Sequence, residues 1–141
     1  MQELIYIITI ILLIKIAYID YKQKIISDSL NMIITLLGIL NLILNLENCK
    51  MYIASSAITF AVFLFIAIIT DGGIGGGDIK LLTALSLIYG SQMLEIIFFS
   101  FLLAGCAAAY LIIVNKQKSI TRIALGPFIC AGTFINLLQM I

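Results

Sequence analysis

The stretch Asp71-Gly-Gly-Ile-Gly-Gly-Gly-Asp-Ile-Lys80 separates two long apolar runs, and the interpretation of the whole chain starts from it. It holds five of the ten glycines, two of the seven acidic residues and a lysine. A carboxylate surrounded by so apolar a sequence is energetically costly and is a candidate functional group. Asp78 is therefore the first candidate site residue, and Asp20, at the end of an earlier apolar run, is its candidate partner.

The composition of the chain is that of a membrane protein. Of its 141 residues, 63% are hydrophobic and 11% are charged, whereas a soluble domain carries about 25% charged residues. We therefore expect an all-α polytopic protein embedded in the lipid bilayer, with residues 1–141 forming a single transmembrane domain. The net charge of +1 and the absence of a long basic run give no support to a nucleic-acid partner. Three scattered cysteines without any histidine predict neither a metal site nor a cofactor.

Apolar segments cover residues 4–19, 30–46, 51–70, 78–89, 94–114 and 123–141. The long segments approach the ~20 residues that cross about 30 Å of hydrocarbon as a helix. Their backbone polar groups must be satisfied internally, which favours helices. The sequence thus predicts a six-helix transmembrane bundle with a short fourth helix. That helix spans about 20 Å, which leaves Asp78 at membrane depth in a wet cleft.

The distribution of basic residues predicts the orientation of the bundle. With the N-terminus outside, the inner side receives Lys22, Lys24, Lys80, Lys116, Lys118 and Arg122, and the outer side receives Lys50. This is the bias of the positive-inside rule. It predicts a multi-pass protein of the cytoplasmic (inner) membrane with both termini outside. The glycine-rich stretch and the connection after the first segment then face the cytoplasm together.

Asp20 and Asp78 each have a structural and a chemical interpretation. Asp20 is either a solvated helix-end residue paired with Lys22 or Lys24, or a functional carboxylate. Asp78 is able to cap a helix N-terminus, which is compatible with a catalytic role. As a pair, two carboxyl groups that share a proton can activate water and protonate a carbonyl group. Our hypothesis from the helix dipoles is that Asp78 starts as the base and Asp20 as the acid.

Two further charged residues have open roles. Asp28 is either a cap that opens the second helix, with Ser27 or Ser29 nearby, or a residue that supports the active site. Lys80 either neutralises a neighbouring carboxylate or extends its amine to the cytoplasmic interface. Asp71 is expected to be solvated at the end of the third helix.

Together these residues resemble the prepilin (type IV leader) peptidases, which are membrane aspartyl proteases of the GxGD type. Gly75-Gly76-Gly77-Asp78, continued as Ile-Lys80-Leu-Leu, is similar to the GxGDxKLL of that family. Asp20-Tyr-Lys-Gln-Lys-Ile-Ile-Ser-Asp28 resembles its D-x6-P-D, with Ser27 where the family usually has proline. A weaker similarity is Gly126-Pro127-Phe128 near the start of the last segment, which holds the single proline of the chain.

The resemblance implies a catalytic pair of Asp20 and Asp78, with Gly75 and Gly77 shaping the loop. It implies that the substrates are pilin-like precursors with a basic leader followed by an apolar helix, cleaved at the cytoplasmic face of the membrane. The cysteine-bearing N-terminal portion that larger members use for N-methylation is not found in the sequence. We therefore expect a short form with peptidase activity alone.

A different class of function also fits the intramembrane aspartates. In a small ion-coupled or proton-coupled transporter or channel subunit, Asp20 and Asp78 would bind a cation or relay protons. The discriminating feature is the motif context, because a transporter has no reason to need GxGDxKLL after a distant aspartate. An assembly scaffold without catalysis is disfavoured by the presence of both aspartates.

Overall fold

The computed structural model describes residues 2–115 and 124–140, and within these ranges the chain is helical and contains no β-strand. The helices are α1 (Gln2–Gln23), α2 (Asp28–Leu44), α3 (Cys49–Ile69), α4 (Gly76–Tyr89), α5 (Met93–Asn115) and α6 (Gly126–Met140). Single-turn 3-10 helices join α2 to α3 at Leu46–Asn48 and α4 to α5 at Gly90–Gln92. The predicted all-α fold class is confirmed.

Three helical stretches are long and apolar enough to cross a membrane, namely Gln2–Gln23, Leu46–Ile69 and Gly76–Ile113. The last contains 38 residues because the 3-10 turn joins α4 to α5 without a break. Counted in this way, the described residues form five helical stretches: α1, α2, α3, the α4–α5 stretch and α6. The predicted six membrane-crossing helices are therefore not obtained from length and hydropathy, since the expected break at residue 90 is itself a helical turn.

The helix boundaries differ from the predicted segments mainly at polar ends. α1 continues four residues beyond the predicted end at residue 19 and includes Asp20. α4 begins at Gly76, two residues before the predicted start. Hydropathy marks where apolar side chains stop, whereas a helix continues as long as its main-chain bonds are made. The start and end predicted for the last segment, residues 123 and 141, lie outside the described residues, as do Lys116, Lys118 and Arg122.

α4 is the central helix of the molecule. Eight of its 14 residues are buried, among them Leu81, Leu82, Leu85 and Ile88. α2 packs along one side of α4 and α3 packs along another. The short helix is thus enclosed by protein, whereas the longer helices expose many apolar side chains.

Polar side chains of α2 and α3 hold α4 by its main-chain carbonyl groups. The bonds run from Asn31 to Gly77 (3.2 Å), Asn41 to Leu87 (3.1 Å), Ser56 to Thr83 (3.0 Å) and Ser55 to Gly90 (2.7 Å). Between membrane helices, where lipid is as apolar as the side chains, such bonds and close packing replace the hydrophobic effect. They fix the position of α4 along its own axis.

The remaining helices form a second group in which α6 packs between α1 and α5. Two aromatic pairs join this group to the first. Tyr6 of α1 stacks on Tyr89 of α4 with ring centroids 5.1 Å apart. Phe63 of α3 stacks on Phe101 of α5 at 5.5 Å. The molecule is therefore built from the groups α2–α4–α3 and α1–α6–α5, with fewer contacts between the groups than within them.

The connections after α1 and α3 meet at one end of the molecule. α3 ends in a Schellman motif, in which the N–H of Gly72 bonds Ala67 O (2.9 Å) and the N–H of Asp71 bonds Ile68 O (3.3 Å). Asp71 is exposed and has a φ of 50°. Ile26, in the connection between α1 and α2, lies directly against Gly77. The predicted juxtaposition of these two connections is thus found.

Candidate active site

Asp78 lies in the first turn of α4, with Gly75 in the N-cap position. The main-chain N–H groups of Asp78 and Ile79 both bond the carbonyl oxygen of Gly75, at 3.0 and 3.2 Å. Because α4 begins earlier than predicted, Asp78 does not occupy the cap position itself. Its Oδ1 is buried and finds no hydrogen-bond partner among the described residues. A buried oxygen without a partner costs free energy, so Oδ1 is a candidate for contact with water or substrate.

Asp20 lies inside α1 and is only 4% exposed. Its Oδ2 accepts a hydrogen bond of 2.7 Å from the main-chain N–H of Gly126, the first residue of α6. Asp20 is therefore not a solvated helix-end residue paired with Lys22 or Lys24, and that interpretation is wrong. Lys22 instead contacts the side chain of Tyr18.

The carboxyl groups of Asp20, near the end of α1, and Asp78, in the first turn of α4, lie at the same end of the molecule. The charge of Asp20 acts electrostatically on the Asp78 carboxyl group. The dipole argument for their separate roles considered only the negative end of α1 at Asp20. The structure adds the positive end of α6 at the same carboxylate, so the argument no longer separates an acid from a base.

The three glycines before Asp78 have different surroundings. A Cβ atom at Gly75 would stand 3.0 Å from Oδ2 of Asp78, and one at Gly77 would stand 3.1 Å from Cβ of Ile26. A Cβ at Gly76 would meet nothing within 4 Å. Steric reasons for glycine therefore exist at Gly75 and Gly77, the two residues to which the resemblance gives a role, and not at Gly76.

Lys80 and Asp28 form an ion pair, with 2.9 Å between Nζ and Oδ1. Asp28 is the first residue of α2, and Ser27 before it makes no side-chain capping bond. Of the two roles considered for Lys80, neutralising a carboxylate is the one observed. The side chains are 62% and 79% exposed, so the pair contributes little to stability. It does link the first turn of α2 to the first turn of α4.

This ion pair lies on a different face of α4 from Asp78. Residues two apart in an α-helix point about 200° apart, so Lys80 and Asp78 face away from each other. Lys80 and Asp28 border a cavity of about 400 Å³ that Phe60 and Leu87 also line. The predicted site residues thus separate into the carboxyl pair with its glycines and an ion pair at a neighbouring cavity.

Ser27 stands where the resemblance predicts proline, and its φ is −66°. This is the angle that a proline ring imposes. The turn before α2 therefore keeps a proline-like backbone although proline itself is missing.

Two groups at the site were missed by sequence reasoning. Asn31 is buried and donates to the carbonyl oxygen of Gly77, and the N–H of Gly126 donates to Asp20. Asn31 could have been found from the sequence, because an asparagine within an apolar run indicates a hydrogen bond between membrane helices. The contact of Gly126 joins residues 106 positions apart, and only its Gly-Pro sequence stood out.

The site therefore combines two carboxyl groups at the same end of the molecule with a main-chain N–H donor. In the described ranges, no group of three or more His, Cys, Asp or Glu side chains could hold a metal ion. The chemistry that this arrangement can perform directly is proton transfer to and from a bound water molecule and a polarised carbonyl group.

Comparison with known proteins identifies the family of the chain. The sequence model of the type IV leader peptidase family matches residues 7–114, a range that contains both aspartates. A similar protein is the prepilin leader peptidase/N-methyltransferase of Bacillus subtilis (strain 168), which is 35% identical over 79 residues. The match covers 53% of this chain and 32% of that protein, so the chain spans about a third of its relative. No solved structure matches. The chain belongs to the type IV leader peptidase family.

Proposed function

We propose that this protein is a membrane aspartic endopeptidase that removes the leader peptide from type IV pilin-like precursors. The observation that carries the proposal is the placement of two carboxyl groups from different helices at one end of the molecule, with Asp20 buried and Oδ1 of Asp78 buried without a hydrogen-bond partner among the described residues. Family membership supports a peptidase role. The nature of the substrate comes from the family and from the similar prepilin peptidase.

The proposed reaction is a direct attack of water on the scissile carbonyl carbon. One carboxylate removes a proton from the water as the new C–O bond forms, and the other carboxylic acid protonates the carbonyl oxygen. The tetrahedral intermediate then collapses as the C–N bond breaks. The leaving amine takes the proton that the base removed from water, and the other carboxylate takes a proton back from a hydroxyl group of the intermediate. Because the pair titrates jointly, acid and base roles belong to the pair. The mechanism uses no acyl-enzyme and no cofactor.

We propose a six-helix transmembrane bundle with both termini outside and the carboxyl pair facing the cytoplasm. The contact of Phe101 with Phe63 supports separate passes for α4 and α5. Thr59 of α3 bonds Ser86 near the end of α4, and Phe63 lies one turn further towards the start of α4. A collinear α5 would carry Phe101 about 18 Å beyond Tyr89, so the contact fits a chain that reverses near Gly90.

The substrate in this proposal is a precursor with a basic leader followed by an apolar helix that already lies in the bilayer. In this proposal, residues 1–141 form one peptidase domain. The exposed carboxylate of Asp71 is available to attract a basic leader, whereas that of Asp28 is already paired with Lys80.

The rival function, ion or proton transport through Asp20 and Asp78, fits the site less well. A cation is coordinated by oxygen atoms, whereas Oδ2 of Asp20 is occupied by an N–H donor. The peptidase proposal therefore explains more of the geometry.

The test is cleavage of a pilin precursor by purified protein in detergent or liposomes. Asp20→Asn and Asp78→Asn should each lower kcat by about 10²-fold or more, because each removes a proton-transfer group. Glu47→Gln is the control, since that carboxylate is exposed and lies in the connection between α2 and α3, at the other end of the molecule. Processing by either Asn variant at close to the wild-type rate would refute the two-aspartate mechanism. An uncut precursor with wild-type protein, together with proton flux through liposomes, would favour transport.

A further inference from the structure

The first turn of α6 lacks the means to cap itself. The residue before it, Leu125, has no side-chain oxygen, and Pro127 has no N–H to offer. The N–H groups of Phe128 and Ile129 both bond Leu125 O, at 3.0 and 2.9 Å. The N–H of Gly126 is thus the donor in this turn that needs a partner from elsewhere in the molecule.

Asp20 of α1 supplies that partner. Its Oδ2 accepts from the N–H of Gly126 at 2.7 Å, and both residues are buried. The approach is possible because residue 126 is glycine. A Cβ atom there would stand 2.8 Å from Oδ2 of Asp20 and 3.0 Å from its Cβ.

We propose that the main-chain N–H of Gly126 is a positioning group for the Asp20 carboxyl. By holding Oδ2, it fixes the plane of the carboxyl group and leaves Oδ1 as the oxygen that exchanges protons with water and substrate. The Gly-Pro start of α6 is in this way part of the active site, although neither residue offers a reactive side chain. The inference rests on the proposed function, in which Asp20 takes part in proton transfer.

The kinetic test is Gly126→Ala, which forces Asp20 and α6 apart. We expect kcat to fall by about 10-fold to 100-fold, the range for loss of a hydrogen bond to a charged group, with KM unchanged within about 2-fold. Gly105→Ala is the matched control, because a Cβ at Gly105 meets nothing within 4 Å, and it should leave both parameters unchanged. A Gly126→Ala enzyme with wild-type kcat would overturn the proposal.

A second measurement tests the hydrogen bond without catalysis. The chain has ten glycines, so protein labelled with ¹⁵N-glycine gives a small set of amide signals, and Gly126→Ala identifies one of them. A short bond to a carboxylate moves this signal downfield, and Asp20→Ala should move it upfield. If Asp20→Ala leaves every glycine amide signal in place, the proposal is overturned, and this outcome does not depend on the folding of Gly126→Ala. If wild-type protein cleaves no precursor but the signal moves, the proposed function fails while the hydrogen bond stands.

Discussion

Single glycines around Asp78 differ in what a side chain at each position would disturb. At Gly75, the nearest atom is the Asp78 carboxyl itself, which belongs to the proposed catalytic pair. At Gly77, it is the Cβ of Ile26, whose position is fixed by its main chain. At Gly76, there is open space. A motif that reads as one glycine run is therefore three positions with separate requirements.

We predict that alanine substitution separates these three positions. Gly75→Ala and Gly77→Ala should lower kcat by roughly 10-fold, because displacements of a few tenths of an ångström at a catalytic group are costly. Gly76→Ala should stay within about 2-fold of wild-type activity, and it should be more stable by about 0.4–1 kcal/mol because alanine restricts the unfolded chain. Cleavage rates and thermal unfolding in detergent measure the two effects. Equal losses in all three variants would contradict this account.

Helix α2 acts on α4 through two asparagines ten positions apart. Asn31 bonds the carbonyl of Gly77 beside Asp78, whereas Asn41 bonds the carbonyls of Leu87 and Ile88 at the far end. Both side chains are buried. The same type of bond thus supports the site at one end and anchors the helix at the other.

We predict that the two asparagines have different effects when each is replaced by leucine. Asn41→Leu should lower stability by about 1–2 kcal/mol, since it removes two interhelical bonds, and should leave the kcat of folded protein unchanged. Asn31→Leu should lower kcat, with a smaller loss of stability than Asn41→Leu causes, because it releases the turn that carries Asp78. Unfolding in mixed micelles and cleavage kinetics of the same preparations distinguish the two. Loss of stability alone in Asn31→Leu would show that its bond has no part in catalysis.

The molecule as a whole consists of two helix groups, and the proposed catalytic pair lies where they meet. Asp20 belongs to α1–α6–α5, and Asp78 belongs to α2–α4–α3. The end of the molecule that holds the pair also holds the connections after α1 and α3. The proposed orientation puts this end in the cytoplasm.

Labelling of single cysteines tests that orientation. In a background with Cys49, Cys106 and Cys130 replaced by alanine, Asn48→Cys should react with a membrane-impermeant maleimide in intact cells. Gln23→Cys should react only after the membrane is permeabilised. Both positions are exposed and lie at opposite ends of the molecule. The reverse pattern would place the carboxyl pair outside the cell and would invert the positive-inside assignment.

The sequence predicted the features that depend on local chemistry. The helical class and the short helix after the glycines follow from residues close together in the chain. Asp20 and Asp78 were proposed from such local patterns together with the family resemblance, and their catalytic role stays a prediction. The partner of Lys80 was left open because Asp28 is 52 positions away. The bonds of Asn31 and Gly126 cross 46 and 106 positions, and only the packing of α2 and α6 against their neighbours creates them. The sequence predicted a break between residues 89 and 94, but a helical turn occupies it, so length and hydropathy count α4 and α5 as one stretch.

The hydrogen bonds from α2 and α3 to the carbonyl groups of α4 also affect how the protein responds to bilayer thickness. α4 has 14 residues, or about 21 Å of helix, against a hydrocarbon layer of about 30 Å. A helix free to slide would follow its lipid surroundings, as mismatched helices do by tilting or shifting. Bonds to the carbonyls of Gly77, Thr83, Leu87 and Gly90 all break if α4 slides by one residue. These bonds hold Asp78 at a constant level relative to α2 and α3. In the proposed topology, we therefore expect its depth to be the same in thick and thin membranes.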